Sequence, residues 1–595
     1  MSNTIKTRIE ELREQMRLSE VQAYYISGTD PHQSEYMPDH WLNRPFISGF
    51  TGSAGIFVVT LGKAALWTDS RYFIQAAEEL RGTGIELMKQ RMPETPEPAQ
   101  WLAGSLEKGD VVGTDYACLS VAQFNQLKDG LTDHGLSVKD TGDLLNELWA
   151  GRPRLPEEEI FEHDLQFAGS KRSDKIEDIL KYVEINGANS TLLTALDDVA
   201  WAFNLRGKDV PYNPVFVSYG FISKDLKILF VDPVKINSEL KGKLQEDRIE
   251  VRDYADFFVF IAGLSSDSIV MVDPSKTSQA ALEGIPSAVK IVEQTSASTL
   301  LKAQKSTFEI IHIRETMKKD GVAMVGFLQW LDQNVGKITI TEYDVVEKLN
   351  EFRSKQSDFQ GDSFYPIVGL NANGAIVHRS VTPETAAEIK AKGVLLVDSG
   401  GQYLGGTTDI TRTIALSEPS ERLKRDFTLV LRGMIDLSMA QFPAGTVGCQ
   451  LDGFARLPLW KNQLNYGHGT GHGVGYFLNV HEGPMSIRQE YNEHTIKPGM
   501  VMSNEPGLYR EGEYGIRVEN VIVCSEKDEV DFGRFLEFET LTLCPIDRRL
   551  IEPTLLNDGE LKWLNAYHQR VFDELSPLLD EEQIQFLRKQ TEPIV

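Results

Sequence analysis

Apolar positions along the chain fall into three successive regimes. In the first, Ile9, Leu12 and Met16 recur at helical spacing, Val21–Ile26 is a strand-like run, and Ile56–Val59 with Ala64–Trp67 read as a hairpin. Helical and strand periods alternate, which predicts an α/β domain. The stretch Arg152-Pro-Arg-Leu-Pro-Glu-Glu-Glu159 then breaks the periodicity as a linker does. The second regime repeats the order: a helix over Ile176–Ile185, a turn carrying Trp201, and strands at Val215–Tyr219 and Lys227–Val231. Its Trp201-Ala-Phe-Asn-Leu-Arg206 echoes Trp41-Leu-Asn-Arg44, which suggests a duplicated α/β unit.

A Ser- and Thr-rich patch, Thr295–Thr299, marks the next boundary. The third regime opens on a long amphipathic stretch, Thr307–Val335, with Ile310, Ile311, Met317, Met324, Phe327, Leu328 and Leu331 at helical intervals. Thr341 is placed to cap a second helix, with Glu342 and Asp344 in its first turn. Gly-rich hairpins, a helix through Leu423–Met439 and a strand-rich section follow. Trp563, Tyr567, Val571 and Leu575 predict a helical tail packed on this last domain. The resulting domains are residues 1–152, 153–302 and 303–595.

Composition fits such a layout. At roughly 150 residues per domain, 595 residues make about four folding units, or fewer if some are large. The chain is 41% apolar and 25% charged, as in ordinary globular proteins. Against 61 Lys and Arg stand 87 Asp and Glu, a net charge of −26, which argues against nucleic acid or a membrane as a partner. Cys118, Cys449, Cys524 and Cys544 lie far apart with no CxxC spacing, so a reduced, cytoplasmic setting is expected. The opening residues lack the apolar stretch of a signal peptide, and no run approaches the roughly 18 apolar residues of a membrane span.

Common catalytic signatures fail. There is no Walker A loop, no GxSxG and no HExxH, and the glycines of Gly467-His-Gly-Thr-Gly-His-Gly473 give no dinucleotide register. Those glycines read as a kinked strand or tight turn where backbones approach closely. What sets this loop apart is its histidines, His468 and His472. Acidic residues recur in similar settings. Asp398 ends the apolar run Val394–Val397, Asp409 precedes a strand-like run, Glu505 lies in Met502-Ser-Asn-Glu-Pro-Gly507, and Glu519 in Gly515-Ile-Arg-Val-Glu-Asn-Val521. A carboxylate at the end of a buried strand is costly unless paired or metal-bound. In that last run Arg517 and Glu519 are two apart on one predicted strand and so share a face. Each residue alone reads as a turn, a salt bridge or a hydrogen-bonded core group. Together, four carboxylates and one imidazole suit a pair of divalent ions of hard or borderline type.

These motifs carry a resemblance. Asp398-Ser-Gly-Gly-Gln-Tyr-Leu-Gly-Gly-Thr-Thr-Asp409, Gly469–Gly475, Asn479-Val-His-Glu-Gly-Pro484, Ser503-Asn-Glu-Pro-Gly507 and Gly515–Asn520 resemble aminopeptidase P of the creatinase/methionine-aminopeptidase, or pita-bread, superfamily. The likeness extends to Phe46–Gly55 and Leu66–Tyr72, so it covers nearly the whole chain. It implies an α/β and α+β architecture: two related creatinase-N-like α/β domains ahead of a pita-bread metallopeptidase domain, usually in a homodimer. It further implies that Asp398, Asp409, His472, Glu505 and Glu519 are metal ligands, that His378, His468 and His481 bind substrate and shuttle protons, and that Arg517 stands behind the ligands. The chain reads Val377-His378-Arg379 where many relatives have His-Tyr, which leaves the metal site intact and the adjoining subsite open.

The activity so implied is removal of the first residue from short peptides with proline second, by a metal-bridging hydroxide between two divalent ions, manganese first, with cobalt or zinc as substitutes. Such a bond needs a dedicated site, because a tertiary amide has no N–H for an enzyme to grip. Glu505 is the expected general base, and His468 or His481 the expected partner of the carbonyl oxygen. Within enzymes the alternative is a prolidase restricted to Xaa-Pro dipeptides. A non-catalytic pita-bread binding protein or a metal-free hydrolase would be expected to lack the ligands, and all five positions are filled here.

Overall fold

The computed structural model describes residues 2–595; Met1, the first residue of the expected amino-terminal domain, lies outside them. Contacts divide the chain into two compact units: the part up to Leu165 with Ser170–Thr299, and Gln166–Gly169 with Leu300–Val595.

The first unit holds two six-stranded sheets. The strands of these two sheets are β1 Ala23–Ile26, β2 Ile56–Thr60, β3 Ala64–Thr68, β4 Glu86–Lys89, β5 Val111–Thr114 and β6 Ser137–Asp140, then β7 Ser190–Leu193, β8 Tyr219–Ser223, β9 Lys227–Phe230, β10 Glu250–Arg252, β11 Ile269–Val272 and β12 Lys290–Glu293. The first sheet runs β4-β3-β2-β1-β5-β6 and the second β10-β9-β8-β7-β11-β12, the same order displaced by six strands. Directions match as well: the inner pairs β1–β2, β2–β3, β7–β8 and β8–β9 are antiparallel, and the outer pairs are parallel. The duplication heard in the sequence is therefore topological. Side chains alternate between the faces of the first sheet: Tyr24, Phe57, Val59 and Leu66 join Ile5, Ile9, Leu12 and Met16 on one side, while Tyr25, Val58, Ala65 and Trp67 meet Trp101 and Phe124 on the other. A sheet covered on both faces must be apolar on both, and it is.

Two local expectations fail here. Trp201 sits inside the helix Leu196–Ala202 rather than in a turn, with Asp197 and Asp198 complementing the dipole of its first turn. The strand expected at Val215–Tyr219 runs instead over Tyr219–Ser223. Upstream, the backbone is spent locally: just after Pro214, Val215 N donates to the Asn213 carbonyl at 2.7 Å and Val217 N to Asp209 Oδ2 at 2.7 Å. Val215–Val217 remain buried, which is why their hydropathy imitates a strand.

The second unit begins with the helix Thr307–Asn334, whose start is fixed by a reciprocal Ser306–Glu309 capping box, and Glu342–Ser354, capped by Thr341 and Asp344 as the spacing predicts. A three-stranded sheet joins Ile367–Leu370, Val394–Ser399 and Ile410–Ala415. A six-stranded one runs in space through Gln441–Pro443, Gly533–Thr540, Asn520–Val530, Val501–Asn504, Gly471–Gly473 and Glu482–Ile487. The helices Glu421–Ser438 and Gly448–Trp460 and the hairpin Gly507–Arg510 with Tyr514–Arg517 complete the frame. The tail helix Asp558–Leu575 buries Leu564, Tyr567, Val571 and Leu575 against Phe427, Val430 and Met434, each leucine contributing about 2 kcal/mol. No helix among the described residues is long and apolar enough to cross a membrane.

Candidate metal centre

Strand ends converge in the second unit. Asp398 is the penultimate residue of Val394–Ser399 and pairs in register with Thr411 of the antiparallel strand Ile410–Ala415, so Asp409 arrives beside it at that strand's start. Leu395 and Val397 point into apolar core, and the carboxylate follows because the apolar run anchors its strand. His472 is the middle of the short strand Gly471–Gly473, flanked on both sides by chain. A Cβ on Gly471 would run into the Ser503 carbonyl and one on Gly473 into that of Glu482, so only glycine lets the strand slip between its neighbours. Glu505 follows Val501–Asn504, its amide donating to the Thr470 carbonyl at 2.8 Å. Glu519 lies in a break: Gly515–Val521 is two strands, not one, because the chain passes from the hairpin into the six-stranded sheet between Arg517 and Asn520. Both residues still reach Thr411, Arg517 Nε donating to its Oγ1 at 3.1 Å and that hydroxyl donating to Glu519 Oε2 at 2.7 Å.

The five side chains face one another. Asp409, His472 and Glu519 offer ligand-type atoms within 4.8 Å of each other, and His472 Nε2 is 3.5 Å from both Asp409 Oδ2 and Glu505 Oε1. Because His472 Nδ1 lies 2.9 Å from the Gly473 carbonyl, which can only accept, its hydrogen sits on Nδ1 and Nε2 presents a lone pair to the carboxylates. Arg517 holds Asp398 through Oδ2, Nη2 at 2.5 Å and Nε at 3.2 Å. Asp398 Oδ1 and Glu519 Oε1 are buried without a hydrogen-bond partner. Burial, and after it the charges of Glu519, Asp398 and Glu505, push the Asp409 carboxyl far above its ordinary range; burial and then Asp398 push Glu519 the same way. One guanidinium cannot balance four carboxylates at this depth. Orphaned oxygens beside a bare imidazole nitrogen fit divalent cations, and the oxygen-rich set suits hard or borderline ones.

The remaining predicted residues surround this group. His468 donates from Nδ1 to the Gly469 carbonyl at 2.7 Å, and its Nε2 is 2.8 Å from the Tyr509 hydroxyl, which in turn accepts from Arg517 Nη1 at 2.7 Å. His481 meets the His472 ring edge-on, centroids 4.3 Å apart. His378 is half-buried in the loop after Asn371–Ala375, and the carbonyl of its neighbour Val377 accepts from Arg517 Nη2 at 3.4 Å. Arg379 is held by the Glu342 carboxylate at 3.1 Å and the Thr385 carbonyl at 2.8 Å. Sequence reasoning missed Tyr509, which ties His468 to Arg517. Its one signal is the glycine two residues before it, since a Cβ on Gly507 would run into the Tyr509 ring and hydroxyl.

Mixed sheets that end in converging carboxylates and one imidazole, in the same chain as two topologically identical α/β sheets, define a metallohydrolase of the creatinase type. The chain belongs to the Xaa-Pro aminopeptidase P family within metallopeptidase family M24. The M24 family model matches residues 311–526, the model of the family's C-terminal region 534–594, and two creatinase/prolidase N-terminal domain models 8–148 and 151–309. Over 99% of both chains it is 39% identical to a protein of the fungus Ajellomyces dermatitidis named "Probable Xaa-Pro aminopeptidase P". It is 40% identical to aminopeptidase P2 of Arabidopsis thaliana over 94% of this chain and 84% of that one. Among solved structures it superposes, with TM-score 0.95 and 32% identity over 99% of this chain and 100% of the other, on the X-prolyl aminopeptidase of Caenorhabditis elegans, described as a cytosolic enzyme with a di-nuclear active site.

Proposed function

We propose that the protein is a metal-dependent aminopeptidase that releases the first residue of short peptides with proline in the second position. The observation that carries this reading is the set of orphaned oxygens, Asp398 Oδ1 and Glu519 Oε1, in a carboxylate cluster faced by His472 Nε2. Asp398, Asp409, His472, Glu505 and Glu519 would hold two divalent cations. Bound there, they would polarise the scissile carbonyl and lower the pKa of a water toward neutrality. Glu505, the most exposed of the four carboxylates, takes the proton of the attacking water and returns one to the proline nitrogen. His481 donates to the carbonyl oxygen as charge develops there. His468, engaged at both ring nitrogens, orients the Tyr509–Arg517 pair that fixes Asp398, and His378 contacts the substrate. Because a tertiary amide offers no N–H, recognition falls on the free amine and the proline ring.

Manganese is the ion we assign, with cobalt or zinc as substitutes, and the setting is cytoplasmic, as for the nematode relative. We assign a homodimer: on the helix Gly448–Trp460, Phe454, Leu457 and Trp460 form an exposed apolar stripe of the kind a second copy covers. The deciding experiment strips the full chain with a chelator, adds back Mn²⁺, Co²⁺ or Zn²⁺ singly, and assays an Xaa-Pro-Pro tripeptide beside an Xaa-Pro dipeptide. Stripped protein should be inactive, and Mn²⁺ should restore release of the first residue from the tripeptide best. Cleavage of the dipeptide alone makes the protein a prolidase; no activity with any ion overturns the reading.

A further inference from the structure

Behind the loop that carries His468 lies an ion pair that the reaction scheme does not use. Asp452 and Arg456 stand one turn apart on the inner face of the helix Gly448–Trp460, 2% and 1% exposed. A pair so deep costs more in desolvation than its attraction returns unless its polar atoms all find partners. Here they do. Arg456 Nε donates to Asp452 Oδ2 at 2.6 Å, Nη1 to the Tyr466 carbonyl at 2.7 Å and Nη2 to the His468 carbonyl at 2.7 Å, and the guanidinium carbon lies 3.9 Å from the centre of the Tyr466 ring. Asp452 Oδ1 accepts from Thr470 Oγ1 at 2.6 Å, the Tyr466 hydroxyl lies 2.5 Å from the same Oγ1, and the Thr470 carbonyl receives the Glu505 amide at 2.8 Å.

We propose that Arg456, braced by Asp452, is a positioning residue for the reaction: its planar fork sets the Tyr466–Thr470 loop, and with it both the His468 ring and the backbone of Glu505. The proposal rests on His468 and Glu505 serving the hydrolysis assigned above. Asp452 cancels the charge of Arg456, so the pair adds little field at the carboxylates. What it supplies is geometry, from three parallel-plane donors that an ammonium cannot reproduce. Three of the five metal ligands, Asp398, Asp409 and Glu519, hang from strands outside this loop.

The test compares Arg456→Lys with wild type as metal-loaded full-length protein, reading kcat and KM on an Xaa-Pro-Pro tripeptide, bound metal per chain, and thermal melting. We expect kcat to fall about 100-fold, the scale of a misplaced reacting group, with KM changed less than about threefold and metal content unchanged. Tyr466→Phe, which keeps the ring under the guanidinium and removes only the hydroxyl bridge to Thr470, should lose about fivefold in kcat, and it decides the matter if the lysine variant does not fold. Variants within about twofold of an active wild type, or a loss of metal that accounts for the lost turnover, overturn the proposal. An inactive wild type fails the functional reading itself, and the positioning role with it.

Discussion

The twin amino-terminal sheets and the carboxyl-terminal domain both bury charge, and they do so to opposite ends. In the twin sheets each buried cation is met by acceptors: Arg44 lies against the carbonyls of Gly52 and Gly55, Lys175 donates to Asn204 Oδ1 at 2.6 Å, and Lys235 pairs with Asp209 at 2.5 Å. In the second unit, carboxylates converge with too few cations to answer them. An orphaned oxygen alone does not separate the two, since Asp209 Oδ1 is orphaned as well. Its other oxygen, however, holds Lys235 and the Val217 amide, and among the described residues it falls in no cluster of three metal-ligating side chains. Convergence of like charges on one imidazole is what marks a place built to receive a cation.

The largest expected effect tests that contrast directly. His472→Ala and Glu505→Ala should each lower turnover about 10³-fold, the scale of losing a general base or a ligand that orders the metal. Neither should lower the melting temperature of stripped protein, because the cluster is under repulsion when empty and each substitution removes a polar group from it. Circular dichroism and thermal melts beside the tripeptide assay check both parts. Substantial turnover in either variant would sink the metal-centre reading.

The reverse pattern is expected in the twin sheets. Lys235→Met strands the buried Asp209 carboxylate, which burial already pushes above its ordinary range, and should cost about 3–5 kcal/mol of stability while leaving kcat of the folded fraction unchanged. Adding Asp209→Asn removes the stranded charge and keeps an acceptor for the Val217 amide, so the double variant should recover most of the loss. Urea midpoints of the two single variants and the double one measure the coupling. An uncoupled cycle would mean that the pair does not hold this domain together.

How much of this the sequence discloses depends on whether a residue works alone or through neighbours. Individual strands are legible because an apolar run and close-packed glycines reflect single-strand physics, as at Tyr24–Ile26 and Gly471–Gly473. Seven of the nine candidate site residues stand out by local setting, such as an acid closing an apolar run or a histidine between glycines, while His378 and His481 come only with the family resemblance. What stayed hidden is relational. Tyr509 reaches His468 only after a hairpin folds, Arg456 is an ordinary i, i+4 partner of Asp452 until the Tyr466–Thr470 loop is laid over it, and Val215–Val217 copy a strand's hydropathy while their amides bond elsewhere.

The smallest expected effect concerns a carboxylate pair that lies between the two extremes. Asp436, on the helix Glu421–Ser438, is half-buried near Glu560 of the tail helix, and burial first, then the Glu560 charge, raise its pKa to about 6. Arg432 and Lys461 oppose that rise, and Arg432 Nε lies 3.0 Å from each Glu560 oxygen, so the crowding is relieved by a proton and not by a metal. A carboxyl whose folded pKa lies above its unfolded value is favoured in the folded state while protonated, and that advantage disappears as pH rises through about 6. Asp436→Asn should therefore raise the melting temperature at pH 8 by about 2 °C, discounted for solvent screening of a half-buried group, and the gain should vanish below about pH 4. Reading variant minus wild type at each pH cancels the other titrations. A gain that persisted at pH 4 would place its cause in packing, and a loss at pH 8 would mean that Asp436 is stabilised by a cation after all, erasing the distinction between this pair and the cluster around His472.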